Sequence, residues 1–409
     1  MKILVFGHQL VVGGTPLNSI ELAAALRDFH GHDVVFFATP GPMLRLVKEK
    51  GLRYLPAPEC YVHPSPARMI AVREAVRREK PDVVHVWDWF QCLEAYYPVY
   101  LAMRVPMVVT DMFMTLTRVL PKALPTTFGT PELVDQARAA GRKHVELILP
   151  PVDVHANAPG VVDPNPFRER YDIDGNSINL VTVSRLNPSM KFESLARTIE
   201  AVGTLGSELK LRFIIVGDGG ARAALEALAN QVNARLGRLA VVFTGELLDP
   251  RPAYASADIV IGMGGSALRG MAFGKPVLIV GEQGFSDPFT PKTAEFFYYH
   301  GIFGCGGAHF GNKKLEADIR RFAEAPEQFP ILGEFSRQFV VRHFSLETVS
   351  TQLSMFCRSA VDAIPALHSD LADGLRSAAV YVRERLFLRR SVDPAQNRSD
   401  QSLELRRGD

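Results

Sequence analysis

Cysteine is scarce in this chain. Four occur in 409 residues, at Cys60, Cys92, Cys305 and Cys357, far apart and without a Cys-x-x-Cys pair. That spacing excludes a disulfide framework and points to reduced thiols. Long hydrophobic runs are missing too: no stretch reaches the roughly 18 uninterrupted apolar residues of a membrane span, so membrane contact would have to be peripheral. Charge of one sign is not in excess. The formal net charge is +2, which argues against a nucleic-acid partner. No histidine–cysteine cluster has metal-ligand spacing, so no metal is expected, and no serine–histidine–aspartate arrangement is legible. The opening residues, MKILVFGHQL, carry an apolar run too short for a signal peptide. They read as a first buried strand of a cytoplasmic protein.

What the chain does have is a regular alternation. Residues 2–7 read as a strand, followed by a loop and a helix capped by Thr15 with Pro16 at its first position. Strands at GHDVVFFAT, LRYLPA, PDVVHVW (81–87), PMVVTDM (106–112) and HVELILPP alternate with helices near 66–79, 90–103 and Thr130–Ala140. Five prolines in 150–166 break the composition and mark a linker. Alternation then restarts with INLVTVSR (178–185), LRFIIVGDG, LAVVFTGE and ADIVIG as strands. Buried strands alternating with helices predict an α/β fold of two doubly wound, Rossmann-type domains of parallel strands, with a cleft for ligand at the strands' carboxyl ends. The expected division is 1–160, 161–345, helices over 346–390, and a polar, disordered tail at 391–409. The last helix carries Leu371, Leu375, Ala378, Val382 and Leu386 at helical spacing, ending in Arg389-Arg390. Such a stripe would ordinarily pack on the protein itself; the alternative is that it lies on an anionic membrane surface.

The most informative motif is IVIGMGGSALRGMAFGKPVLIVGE (259–282). An apolar strand leads through Gly262, Gly264 and Gly265 into a short helix opening at Ser266. Strand, glycine turn and helix N-terminus make an anion site, because the first amides of a helix have no helical partner and the dipole adds positive charge. The glycines and Ala267 also fit GxGxxA, with Glu282 at the end of the next strand as the ribose carboxylate of a dinucleotide fingerprint. A second candidate is VSRLNPSMK, where Arg185 at a strand end and Lys191 near the next helix could both grip a diphosphate; the alternative is two solvated surface cations. The Gly13-Gly14 loop is either a phosphate loop or an ordinary flexible connection. VGDGG (216–220) is a phosphate loop or a tight turn. Asp172-Ile173-Asp174 reads as a turn rather than a metal motif. His85 reads as a core histidine, and Asp88 and Asp111, after strand ends, are candidate acids or bases.

Taken in order, the Gly13-Gly14 loop, PDVVHVW, PPVD, SRL…K, VGDGG, FTGE, ADIVIG and GMAFGKPVL resemble a GT-B glycosyltransferase of the retaining family 4, over residues 1–360. The resemblance implies sugar transfer from a nucleotide-sugar with retention, without an essential metal or separate cofactor. It implies that Arg185 and Lys191 act catalytically by neutralising the leaving diphosphate, helped by the amides of Gly264, Gly265 and Ser266. Gly13 and Gly14 would approach donor phosphate and acceptor, and Gly245 and Leu247 would line the nucleobase. The acceptor would be a glycan, a lipid-linked precursor or a small molecule, placing the protein in cell-wall or polysaccharide synthesis. The chain departs from the pattern at the family's two glutamates, which fall on Ile261 and Arg269, and at a histidine that falls on Met112. Glu282 could replace the ribose contact, and Arg269 could meet a phosphate or an acidic sugar. The rival expectations are a nucleotide-binding or scaffold subunit without catalysis, and an NAD-type oxidoreductase.

Overall fold

In the computed structural model, which describes residues 1–173, 175–189, 191–306, 311–362 and 367–387, the chain forms two compact units. One joins Met1–Pro151 to the described residues from His343 onward; the other is Val152–Arg342. The division falls in the proline-rich stretch. Asp174, Arg389, Arg390 and the tail at 391–409 lie outside the described residues.

The first unit holds seven parallel strands: β1 Lys2–Phe6, β2 Asp33–Ala38, β3 Arg53–Pro56, β4 Val83–Trp87, β5 Met107–Asp111, β6 Thr126–Phe128 and β7 Val145–Leu147. Their order is β3-β2-β1-β4-β5-β6-β7. Strands such as VVHVW are buried on both faces, as helix-covered parallel sheets require. Leu4, Phe6, Val84, Val86 and Val109 share one core cluster with Val72, Val76 and Tyr96 from the helices.

The second unit contains β8 Ile178–Val183, β9 Leu211–Val216, β10 Val241–Gly245, β11 Ile259–Gly262, β12 Val277–Val280 and β13 Ser286–Pro288. The order is β10-β9-β8-β11-β12-β13, with β13 antiparallel to β12. In each sheet the strand order reverses at one place, between β1 and β4 and between β8 and β11. Crevices at the carboxyl ends of such strands are where open α/β sheets bind ligands.

Several local expectations change. The first helix begins at Gly14, with Gly13 rather than Thr15 at its N-cap position and no side-chain cap. Glycine leaves that helix end sterically open, so the turn closes ahead of the hydroxyl. The helix expected at 90–103 begins at Asp88, runs to Ala95 and widens into a π-helix at Tyr96–Leu101. Pro98 lies in that stretch and cannot donate an amide hydrogen bond. Strands β6 and β13 have only three residues each, too short to show a period.

The last helix, Leu367–Phe387, also departs from expectation. Its apolar stripe does not pack inward: Leu371, Leu375 and Val382 are 48%, 74% and 49% exposed. The helix docks instead through polar groups. Tyr96 and Tyr97 hydroxyls donate to the carbonyls of Asp370 and Gly374, Arg104 donates to the Asp370 carboxylate, and Ser377 donates to the Val119 carbonyl. Gly374 lets the Tyr96 ring come close, since a Cβ there would lie 3.0 Å from it. The side chain of Leu386 is outside those described.

One close backbone approach governs the second unit. Gly217 has φ of 140°, and a Cβ there would sit 1.9 Å from the Ser184 carbonyl oxygen. Gly217→Ala is therefore expected to lower the thermal midpoint by roughly 4–8 °C, the shift that about 2 kcal/mol produces in a unit of this size. An unchanged midpoint in differential scanning fluorimetry would show that these two loops can part freely.

Candidate functional site

Around the reversal between β8 and β11, the second unit gathers most of the residues singled out from the sequence. Gly262 ends β11, Gly264 takes the N-cap position with φ of 56°, and the helix Gly265–Ala272 follows with no side-chain cap. Its opening amides are thus left for an anion. Ser266 accepts a hydrogen bond from the buried Tyr254 hydroxyl at 3.2 Å. Arg269 folds back along its own helix and donates to the Gly265 carbonyl at 3.2 Å, placing its guanidinium against the first turn.

Arg185 follows β8 and is exposed, and Lys191 stands at the N-cap of helix Phe192–Leu205. The Lys191 ammonium is drawn down to about 8, first by burial and then by the Arg185 charge, while the Glu282 carboxylate opposes the shift. Lys191 therefore lies close enough to both Arg185 and Glu282 to sense their charges. Glu282 follows β12, with its amide on the Gly304 carbonyl at 3.0 Å. The turn beyond it is fixed by Glu193, whose carboxylate accepts the amides of Gln283 at 2.9 Å and Gly284 at 2.7 Å. Sequence reading missed Glu193; a glutamate in a helix's first turn looks like an ordinary dipole partner.

The VGDGG segment works as a brace. The Leu186 amide donates to the Asp218 carbonyl, the Ala221 amide to the Leu186 carbonyl, and the Gly217 amide to the Gly245 carbonyl, each at 2.9 Å. These bonds hold the strand end that carries Arg185 beside Gly245, which has φ of 78°. Leu247 follows, half-buried. The turn reading of VGDGG thus has a structural purpose. Asp172, with φ of 52°, also belongs to a turn, its carbonyl accepting from Arg212.

In the first unit, Gly13 and Gly14 open the helix that follows β1. Between β1 and those glycines lies His8, which the sequence reading did not single out. Its Nε2 is 2.6 Å from Oδ2 of Asp88, just beyond β4. The other Asp88 oxygen accepts the Met112 amide at 2.9 Å. Asp111, at the end of β5, is fully buried; burial first and the Asp88 charge second push its carboxyl up to about 7. His85 is a core histidine, as its strand position predicts: it meets Thr110 at 2.7 Å, and burial lowers it to about 3.

The expectation that no histidine or cysteine is placed for a metal needs correcting at one point. Ligand atoms of Cys60, His63 and Glu94 lie within 4.8 Å of one another. The signal was the two-residue gap between Cys60 and His63, completed by a carboxylate distant in sequence. Glu94 is also engaged by the buried Arg68 at 2.9 Å and by the Ser65 amide at 3.0 Å. The guanidinium offsets the carboxylate charge that a cation would need, and the group reads as the anchor of the loop before helix Pro66–Glu79.

By sequence, residues 12–123 match Glycosyltransferase Family 4 and residues 177–297 match Glycosyl transferases group 1. The chain belongs to this glycosyltransferase family. No curated protein matches it by sequence. Among solved structures, the glycosyltransferase is similar to one from Rickettsia africae ESF-5, with a TM-score of 0.71 and 16% identity over 88% of this chain and 98% of that one. It is similar to Anabaena Alr3699/HepE in complex with UDP-glucose, with a TM-score of 0.67 and 16% identity over 88% and 100%. It is also similar to WaaG, a glycosyltransferase involved in lipopolysaccharide biosynthesis, with a TM-score of 0.60 and 14% identity over 90% and 100%. These likenesses establish the GT-B fold, two Rossmann-like α/β sheets. The dehydrogenase reading of the GxGxxA glycines gives way to this assignment.

Within the glycosyltransferase, the two departures from the family glutamates have different fates. Ile261 is 1% exposed and belongs to the core of its unit, whereas Arg269 reaches the opening turn of the anion-site helix.

The Asp111 shift has a testable sign. Between about pH 4 and about pH 7 the folded chain keeps a proton that the unfolded chain has released, so the wild type loses stability as pH rises through that window. Asp111→Asn carries no charge and escapes this loss. Its thermal midpoint relative to wild type is expected to climb from about pH 4 to about pH 7 and then level off. A constant difference across that range would contradict the shift.

Proposed function

We propose that this glycosyltransferase moves a hexosyl group from a UDP-hexose to a hydroxyl of a glycan, lipid-linked or small-molecule acceptor. The observation that carries the reading is the cationic group at the β8–β11 reversal, where Arg185 and Lys191 share a neighbourhood and the helix opening at Gly265 has no side-chain cap. The choice of uridine is supported by the Anabaena structure in complex with UDP-glucose. In this reading Arg185, Lys191 and the amides of Gly265 and Ser266 neutralise the departing diphosphate, without a metal or separate cofactor; the Gly264 amide, expected to join them, is engaged by the Ile302 carbonyl at 2.6 Å. Arg269 adds a guanidinium to the same turn. Glu282 takes a ribose hydroxyl, and Gly245 and Leu247 line the base. The anomeric configuration is retained, as the sequence resemblance implies, if the diphosphate itself receives the acceptor proton.

Lys191 gives the donor reading a sharp test. A diphosphate beside an ammonium that titrates near 8 raises its affinity for a proton. UDP binding at about pH 8 is expected to take up about half a proton, and affinity to fall as pH rises further. Calorimetry in buffers of different ionisation enthalpy measures the uptake. Lys191→Met should abolish it and weaken UDP at least tenfold, and Glu282→Ala should weaken UDP as well. Binding of UDP with neither effect would remove both residues from the site, and no UDP binding would favour a scaffold role.

We also propose a cytoplasmic protein that touches the membrane peripherally through Leu371, Leu375 and Val382. No described helix is long and apolar enough to cross a membrane. The double variant Leu371→Asp, Leu375→Asp is expected to reduce co-sedimentation with anionic phospholipid vesicles severalfold while leaving UDP affinity intact. Equal sedimentation would exclude the stripe.

A further inference from the structure

We infer that the first unit holds a sugar ring at the ends of β1, β4 and β5, with the rings of Phe90 and Phe113 against its apolar face and His8 on one of its hydroxyls. The inference rests on the transfer reading above and names a sugar as the part of the acceptor that the protein grips. All three strands and every residue of the site belong to one compact unit. β4 lies between β1 and β5 in the sheet, although β1 is far from both in sequence. His8 leaves β1, Trp89 and Phe90 follow β4, and Phe113 follows β5. These are carboxyl ends at the reversal of strand order, where open α/β sheets take their ligands.

Aromatic side chains from two strand ends form a ladder. Trp89 and Phe90 stack with centroids 3.8 Å apart, and Phe90 lies 6.4 Å from Phe113 with the planes tilted by 53°. The ladder is braced. The His63 ring is 4.4 Å from Phe90, and Tyr381 is 6.1 Å from Trp89 while its hydroxyl donates to the His63 carbonyl. Phe113 is tied down by its amide, which donates to Oδ1 of Asp111 at 3.2 Å. Yet the rings are not covered: Phe113 is 39% exposed, and Trp89 and Phe90 are half-buried. An aromatic ring stabilises a fold most when it is buried. Rings fixed in place but left open instead present a flat apolar face to a ligand.

Polar groups stand beside that face. His8 Nε2 and Asp88 Oδ2 are 2.6 Å apart, and the His8 side chain keeps 22% of its surface exposed while that of Asp88 keeps 5%. The other Asp88 oxygen accepts the amide of Met112, the residue before Phe113, so one carboxylate ties the imidazole to the loop that carries the ring. A carboxylate accepting from Nε2–H leaves the lone pair on Nδ1 for a hydroxyl hydrogen. A pyranose needs both kinds of contact at once, since its C–H face is apolar and its hydroxyls point from the rim. Mostly apolar walls with a few fixed polar groups are the general form of a small-ligand site. An alkyl chain would use the rings alone and would leave the His8–Asp88 pair without a purpose.

The test uses the full chain without nucleotide and the methyl glycosides of glucose, galactose, mannose and N-acetylglucosamine as probes. Glycerol serves as a hydroxyl-bearing control with no ring, and dodecyl phosphate as the lipid alternative. Binding is read by saturation-transfer NMR and by tryptophan emission, which reports on Trp89 because Trp87 is fully buried. The expected result is saturable binding of at least one glycoside, with the strongest transfer at its ring C–H protons and none to glycerol. Affinity is expected to fall about tenfold in Phe113→Leu, which keeps apolar bulk but loses the ring, and to recover in Phe113→Tyr. His8→Ala should weaken the same glycoside severalfold. Binding by none of the glycosides, equal binding in Phe113→Leu, or binding of dodecyl phosphate in their place overturns the proposal. UDP affinity, measured by calorimetry on the same preparations, separates the two readings. Glycoside failure with UDP bound removes the sugar site alone, and UDP failure with a glycoside bound removes the donor reading alone.

Discussion

The candidate functional residues of this molecule depend for their placement on the point in each sheet where the strand order turns back. Helices that follow strands on either side of such a reversal leave opposite faces of the sheet, so the loops between them separate and leave room. In the second unit that room opens between the ends of β8 and β11, where the Arg185 loop and the Gly262–Gly265 turn emerge. In the first it opens between β1 and β4, where His8 and Asp88 emerge. The polar ends of these elements need not be buried in the core, which is filled by the strands' valines, isoleucines and leucines.

Loops that must present charge have to be held without hydrophobic burial, and the chain does this with backbone hydrogen bonds and carboxylates. Gly217 and Gly281 allow main chains to come closer than a side chain would permit: a Cβ at Gly281 would lie 1.8 Å from the Gly304 carbonyl oxygen. Glu193 fixes the turn after Glu282, and Glu94 fixes the loop ahead of helix Pro66–Glu79 together with the buried Arg68. The buried Arg68–Glu94 pair is costly to break, because removing one partner strands the other charge. These contacts give the loops definite positions while adding little to net stability.

The alternating architecture was legible because buried parallel strands announce themselves as short apolar runs between amphipathic helices. Thr130-Pro131 signalled its helix through cap chemistry, and the Thr130 hydroxyl does accept the Leu133 amide. Short strands such as Thr126–Phe128 left no period to read. The candidate phosphate-site residues could be picked out where a strand end, a glycine turn and a cation coincide, as at Arg185 and Gly262–Ser266. Glu193 and His8 could not be singled out, since each meets a partner that only the fold brings near: Asp88 stands eighty residues from His8 in the sequence. The expectation that the tail-helix stripe packs on the protein failed for a different reason. Its apolar spacing is real, but Tyr96, Tyr97 and Arg104 offered partners to its polar face, and that face won the contact.

The same docking makes the first unit discontinuous in the chain. Buried Asp370 and Ser377 close on residues near 96–120, with the whole of Val152–Arg342 lying between them in sequence. During synthesis the second unit therefore leaves the ribosome complete while the first still waits for its final helix. Domains generally fold as units as they emerge, so here the later-encoded sheet can finish first. The hydroxyls of Tyr96 and Tyr97 meet water until the end of the chain arrives to receive them.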